Sequence, residues 1–204
     1  MRLAAQPPFP RICILYLTCS TMIAMRRYTL ILVSLFTFSC VHAQVYGTNN
    51  GSISFSSDAP LELIRASSNE MKGRVDMSKK IFAFSIRISS FNGFNSPLQK
   101  EHFNENYMES VQFPNASFSG RIIEDIDLTK DGSYTVRAKG NLTIHGVTQE
   151  RIIKSDLVVK DGKVSLHSNF TVLLSEHNIL IPKVVHEKLA SEIKVEVKAE
   201  LSAS

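Results

Sequence analysis

The chain has 204 residues, 44% of them hydrophobic, with 23 basic and 19 acidic side chains and a formal charge of +4. All three cysteines (Cys13, Cys19, Cys40) and four arginines (Arg2, Arg11, Arg26, Arg27) precede Gln44, whereas no Asp or Glu precedes Asp58. Beyond residue 43 the basic and acidic residues therefore balance at 19 each, which excludes a disulfide, thiolate-metal or cysteine-nucleophile design there and removes the electrostatic case for nucleic acid.

The first segment has the layout of an export leader. Met25-Arg26-Arg27-Tyr28 precedes an apolar run from Thr29 to Phe38, followed by Ser39-Cys40-Val41-His42-Ala43. A basic start, a short greasy stretch and a small-residue end predict cleavage after Ala43, with Met25 as the initiator. The run is too short to span a membrane comfortably. Cys40 marks the alternative of a lipidated N-terminus, which Thr37 and Phe38 suit poorly. Residues 44–204 are then one exported domain, periplasmic or secreted, of ordinary size for a single core.

Gln44 to Asn50 reads as a polar tail. Strands are predicted over 51–55 and 61–66, broken by Asp58-Ala59-Pro60, with a weaker one over 71–77 and a strong one over 80–88. Phe91-Asn92-Gly93-Phe94 reads as a turn. Ser96 then offers an N-cap and Pro97 a first helical residue, predicting a helix over 98–108 that Phe113-Pro114 stops. A strand follows over 116–123. Asp131-Gly132 and Asp161-Gly162 read as hairpin turns, and the strand between them is bent near Gly140 and interrupted at His145-Gly146. Further strands are predicted over 147–159, 164–174 and 192–201, with a short helix over 183–190.

The strong segments alternate. Phe82, Phe84, Ile86 and Ile88 oppose Ala83, Ser85 and Arg87; Leu142 and Ile144 oppose Asn141, Thr143 and His145; Phe170 and Val172 oppose Asn169 and Thr171. Period-two alternation means strands wet on one face and dry on the other. Several in series need a shared dry interior, so the fold class is all-β, an antiparallel barrel or sandwich. Whether the aromatic side chains fill that interior or line a cavity is left open by composition.

No catalytic signature is present. There is no His-Glu-x-x-His, nucleophile elbow, phosphate loop or dinucleotide fingerprint, so no catalytic residue and no metal ligand is assigned. His145 and His167 fall on polar strand faces and read as solvated. His102 shares a predicted helix with Glu105 and Glu109, which admits an enzymatic alternative at that helix.

Two segments carry more than pattern. Phe91-Asn-Gly-Phe-Asn-Ser-Pro through Phe113-Pro-Asn-Ala-Ser-Phe-Ser-Gly120, and Gly140-Asn-Leu-Thr-Ile-His-Gly-Val-Thr148, together with Asn169-Phe-Thr-Val, resemble the YceI-like family of exported bacterial proteins over roughly residues 51–202. The resemblance implies an extended eight-stranded antiparallel, lipocalin-like barrel with one or two short helices near its mouth. It also implies a long isoprenoid-type lipid, such as a quinone or prenyl phosphate, held inside for carriage, storage or sequestration. The ligand-lining residues it implies are Phe82, Phe84, Ile86, Ile88, Phe103, Tyr107, Phe118, Leu142, Ile144, Phe170 and Val172, with His102 addressing a head group. No cofactor is expected beyond such a bound lipid or quinone. The expected partners are that apolar lipid and, transiently, a membrane surface, with the chain a monomer or homodimer. The alternative is a closed-core barrel acting as a ligand-free interaction or stress-response module.

Overall fold

The alternating runs pair edge to edge until the sheet has no free edge. The structure, a computed structural model, describes residues 45–125, 127 and 130–203. Its strands are β1 (Val45–Asp58), β2 (Leu63–Asp76), β3 (Ile81–Arg87), β4 (Asn115–Ile122), β5 (Gly132–Ile144), β6 (Val147–Lys160), β7 (Lys163–Leu173) and β8 (Glu192–Ala203). Each pairs antiparallel with the next, and β1 also pairs with β8, which closes an eight-stranded barrel. Phe55 sits in the seam, opposite Ala66 on β2 and Val195 on β8. Residues 43–204 form one compact unit. The leader, its cleavage after Ala43 and Cys40 lie outside the described residues.

Several boundaries differ from expectation for identifiable reasons. Residues 45–50, expected as a tail, belong to β1. Segments 61–66 and 71–77 are parts of the single strand β2, because polar Ser67 and Ser68 stay on the ladder and the register slips at Asn69-Glu70, between Gly51↔Met71 and Ile53↔Ser68. A bulge hides the alternation without ending the strand. His145-Gly146 does not interrupt one strand but reverses the chain: both residues have positive φ (50° and 72°) between the paired Ile144 and Val147. That is the geometry of a two-residue hairpin turn, shared by Asp161-Gly162. Asp131-Gly132 instead ends the longer β4–β5 connection, with Gly132 already in β5. Segment 183–190 forms one 3-10 turn (Lys183–Val185) followed by turns.

Gly120 and Gly140 face one another across β4 and β5. A Cβ on Gly120 would meet the Lys139 carbonyl, and one on Gly140 would meet the Ser119 carbonyl. Only glycine lets the two backbones approach this closely where the barrel wall bends.

The two ends of the barrel differ. Connections 77–80 and 161–162 lie at one end, next to which Phe82, Val136, Leu157, Val164 and Leu201 cluster in the core. Salt bridges Lys80–Asp125 (2.6 Å) and Arg137–Glu124 (2.7 Å) decorate this end. They hold both carboxyls below the usual range, through hydrogen bonds from Lys80 and Arg137 respectively. Connections 59–62, 88–114, 145–146 and 174–191 surround the other end, the mouth. There the strands splay. β2 pairs with β3 only from Lys72↔Ser85 downward, and β6 with β7 only from Ser155↔Ser168 downward. Ladders that stop halfway leave the mouth half wider than its side chains fill.

Candidate ligand cavity

The mouth half encloses a cavity of about 550 Å³, within the range of small-molecule sites. Its wall is built from the inward rows of the strands: Ile53 and Phe55 on β1, Ile86 on β3, Leu142 and Ile144 on β5, Phe170 and Val172 on β7, Ile193 and Val195 on β8. Polar lining residues cluster at the mouth, on the β1–β2 connection (Glu62), the lid helix (Ser96, Gln99, His102) and the segment before β8 (Lys188). The site is greasy below and wet above.

A short helix caps it. Ser96 Oγ accepts from the Gln99 N–H at 3.2 Å, and Pro97 opens α1 (Pro97–His102), as the N-cap signal predicts. A single wider turn, Phe103–Tyr107, continues it. That extra turn swings Phe103, Tyr107 and Met108 onto the cavity. Phe103 packs on Phe55 (5.4 Å between ring centroids, 21° between planes), on Phe94 (5.0 Å) and on Phe91 (6.0 Å). Offset and tilted pairs of this kind add about 0.5–1.5 kcal/mol each beyond area burial. Polar contacts anchor the lid as well: Gln99 Nε2 and Asn95 Nδ2 donate to Glu62 Oε1 at 3.0 and 3.3 Å.

The splayed walls are bridged. Between β2 and β3, Ser67 and Asn92 exchange backbone hydrogen bonds (2.8 and 2.9 Å), which seats Phe91 and Phe94 in the gap. Between β6 and β7, the Arg151 guanidinium donates to the Thr171 carbonyl (2.7 Å) and to Glu176 Oε2 (2.8 Å). At the hairpin, His145 Nδ1 donates to the His177 carbonyl (3.0 Å), while its Nε2 lies 3.4 Å from Glu109. His145 is therefore half-buried against the end of the lid segment, not solvated. Glu109 faces His145 and not His102. His167 does lie outside, on Glu196 (3.0 Å).

The residues named from sequence divide by depth. Ile86, Ile88, Phe103, Tyr107, Leu142, Ile144, Phe170 and Val172 line the cavity, and His102 stands exposed at its rim. Phe82, Phe84 and Phe118 lie lower, around a second compartment of about 120 Å³. Phe113 packs outside, edge-on to His145 at 4.8 Å. Sequence reasoning did not place Phe55, Met108, Ile179 or Leu189 in the lining. Phe55 alternates with Ile53 and was legible, whereas the others sit in irregular segments with no periodicity.

The comparisons agree with this architecture. A model of the YceI-like domain matches residues 34–201. No curated protein sequence matches the chain. Among solved structures, the barrel resembles a polyisoprenoid-binding domain from Saccharophagus degradans implicated in plant cell wall breakdown (TM-score 0.67, 11% identity, covering 79% of this chain and 99% of that one). It also resembles BcnA from Burkholderia cenocepacia (TM-score 0.62, 14% identity, 75% and 96%). A third similar structure is a Campylobacter jejuni YceI protein (TM-score 0.53, 16% identity, 66% and 82%). At such identities the structural likeness shows the fold, and the family follows from the domain match: this chain is a member of the YceI-like family.

Proposed function

We propose that this protein is an exported carrier or store for a long apolar lipid of the isoprenoid type, a quinone or prenyl phosphate, working by binding without covalent chemistry. The observation that carries the reading is the polarity gradient of the cavity, apolar from Ile86 to Val172 and polar only at the rim around Glu62, His102 and Lys188. That gradient suits a molecule with a greasy tail and a polar head. At about 0.8 kcal/mol per buried CH₂, roughly ten buried methylene equivalents give ~8 kcal/mol, which is near micromolar affinity before ordering costs. The name of the Saccharophagus domain supports the ligand class. The leader composition supports export to a periplasm or beyond, and the mouth would meet a membrane surface transiently to load, with the chain a monomer or homodimer.

The test is organic extraction of protein purified from its native host under mild conditions, followed by mass spectrometry. A reproducible prenyl lipid at a substantial fraction of one per chain is expected. Extracts indistinguishable from those of an unrelated exported protein overturn the proposal and favour the interaction-module alternative.

A further inference from the structure

The second compartment lies directly beneath the cavity. Ile53, Ile86, Leu142 and Phe170 line both, forming a waist across the barrel. Below the waist, two inward positions that could hold large side chains carry serine. Ser155 and Ser168 are paired across β6 and β7 at the last rung of their ladder, and Ser168 Oγ donates to Ser155 Oγ at 2.5 Å. The bond joins the Ser168 hydrogen to the Ser155 oxygen, which turns the two hydroxyls toward each other along the wall. Opposite them stand Phe84 and Phe118. The Phe84 ring lies over Gly73, where any Cβ would collide with it, and Phe82 packs on Phe118 at 4.9 Å. Short serines and fixed aromatic rings stand on the wall of a compartment of about 120 Å³ that continues between Phe82, Val136, Leu157 and Leu201. Apolar cavities of about 150 Å³ stay dry and accept guests the size of benzene, which is also the scale of one branched five-carbon unit.

We infer that this compartment is a subsite for the branched terminal unit of an isoprenoid chain, threaded through the waist, and that Ser168 and Phe84 set the chain length the protein prefers. The inference rests on the lipid-holding reading above. Serine at 155 and 168 makes a poor core choice and a good receptor choice, because it supplies room while the two hydroxyls bond to each other.

The test is a titration of delipidated protein with a ladder of all-trans prenyl alcohols that differ by one isoprene unit. Affinity of the unaltered protein should climb with length to a maximum. Ser168→Val, which fills the compartment, should move that maximum down by about one unit. Phe84→Leu, which enlarges it, should move it up. The two changes act in opposite directions, so either variant that melts cooperatively decides the matter. Maxima that coincide in the unaltered protein and both variants overturn the inference while leaving the carrier reading intact. Absence of binding at every length in the unaltered protein overturns both.

Discussion

Phe103, on the lid, stacks nearly parallel on Phe55, on the first strand, with 5.4 Å between ring centroids. This contact joins the least regular part of the chain to the seam where the barrel closes. Truncating Phe103 to Ala removes one ring from a four-ring cluster and should cost about 1–2 kcal/mol, less than for a fully buried Phe because the ring is half-buried. The lid should loosen first. Hydrogen exchange should accelerate over 97–107 with little change in β5, and bound lipid should dissociate several-fold faster. Unchanged exchange over 97–107 would refute the lid assignment.

The β6–β7 ladder ends at Ser155↔Ser168, and Arg151 takes over above it. Lysine offers one point charge where arginine offers a fork, so Arg151→Lys cannot satisfy Thr171 and Glu176 together. The expected loss is about 1 kcal/mol, since the pair is partly exposed and screened. Amides in 147–154 and 169–173 should exchange faster while those in 155–160 keep their protection. Equal acceleration throughout β6 would mean that the side chain does not bridge a local split.

Asp76, at the end opposite the mouth, accepts from Ser78 Oγ (2.7 Å) and the Lys79 N–H (2.9 Å). Chiefly these two hydrogen bonds, with Lys79 nearby, lower its pKa from 3.8 to about 2. A carboxyl depressed on folding stabilises the fold above its unfolded value and ceases to do so as pH falls through the folded one. Asp76→Asn should therefore lower Tm at neutral pH. The gap between variant and unaltered protein should then shrink as pH falls from near 3.8 toward 2. A gap that stays constant across that window would show that the turn does not depend on the charge.

The chain contains no tryptophan. Phe170→Trp thus places a single tryptophan at the waist, narrows the cavity and leaves the backbone ladder to β8 untouched. Lipid retention should fall while Tm changes little, and emission should shift to shorter wavelength on lipid uptake. Emission indifferent to added prenyl alcohol would place the ligand elsewhere.

Legibility varied along the chain for physical reasons. Inward faces of β3, β5, β7 and β8 were readable because period-two alternation reports which side of a sheet a residue occupies. β1 and β2 were partly unreadable because irregularities at Asn50 and at Asn69-Glu70 shift the phase, and polar Ser67 and Ser68 hold the ladder between them and the next apolar run. His145-Gly146 was underestimated as a turn: histidine reaches positive φ less readily than asparagine, and tertiary contacts with His177 and Phe113 support it there. Within the site, alternation has no coordinate along the barrel axis. Phe84 and Val172 carry the same signal, yet one faces the deep compartment and the other the cavity. Phe91 and Phe94 sit at a turn whose sequence gives no direction for their rings.

By itself, then, the sequence determined which face of β3, β5, β7 and β8 is dry, where the lid helix starts at Ser96-Pro97, and that charge balances and cysteine is missing beyond residue 43. These are consequences of a residue's immediate neighbours. The hollowness of the mouth half was decided only in three dimensions. It follows from where the long-range ladders stop, at Lys72↔Ser85 and Ser155↔Ser168, and the register between strands far apart in sequence is set by the closure of the whole barrel.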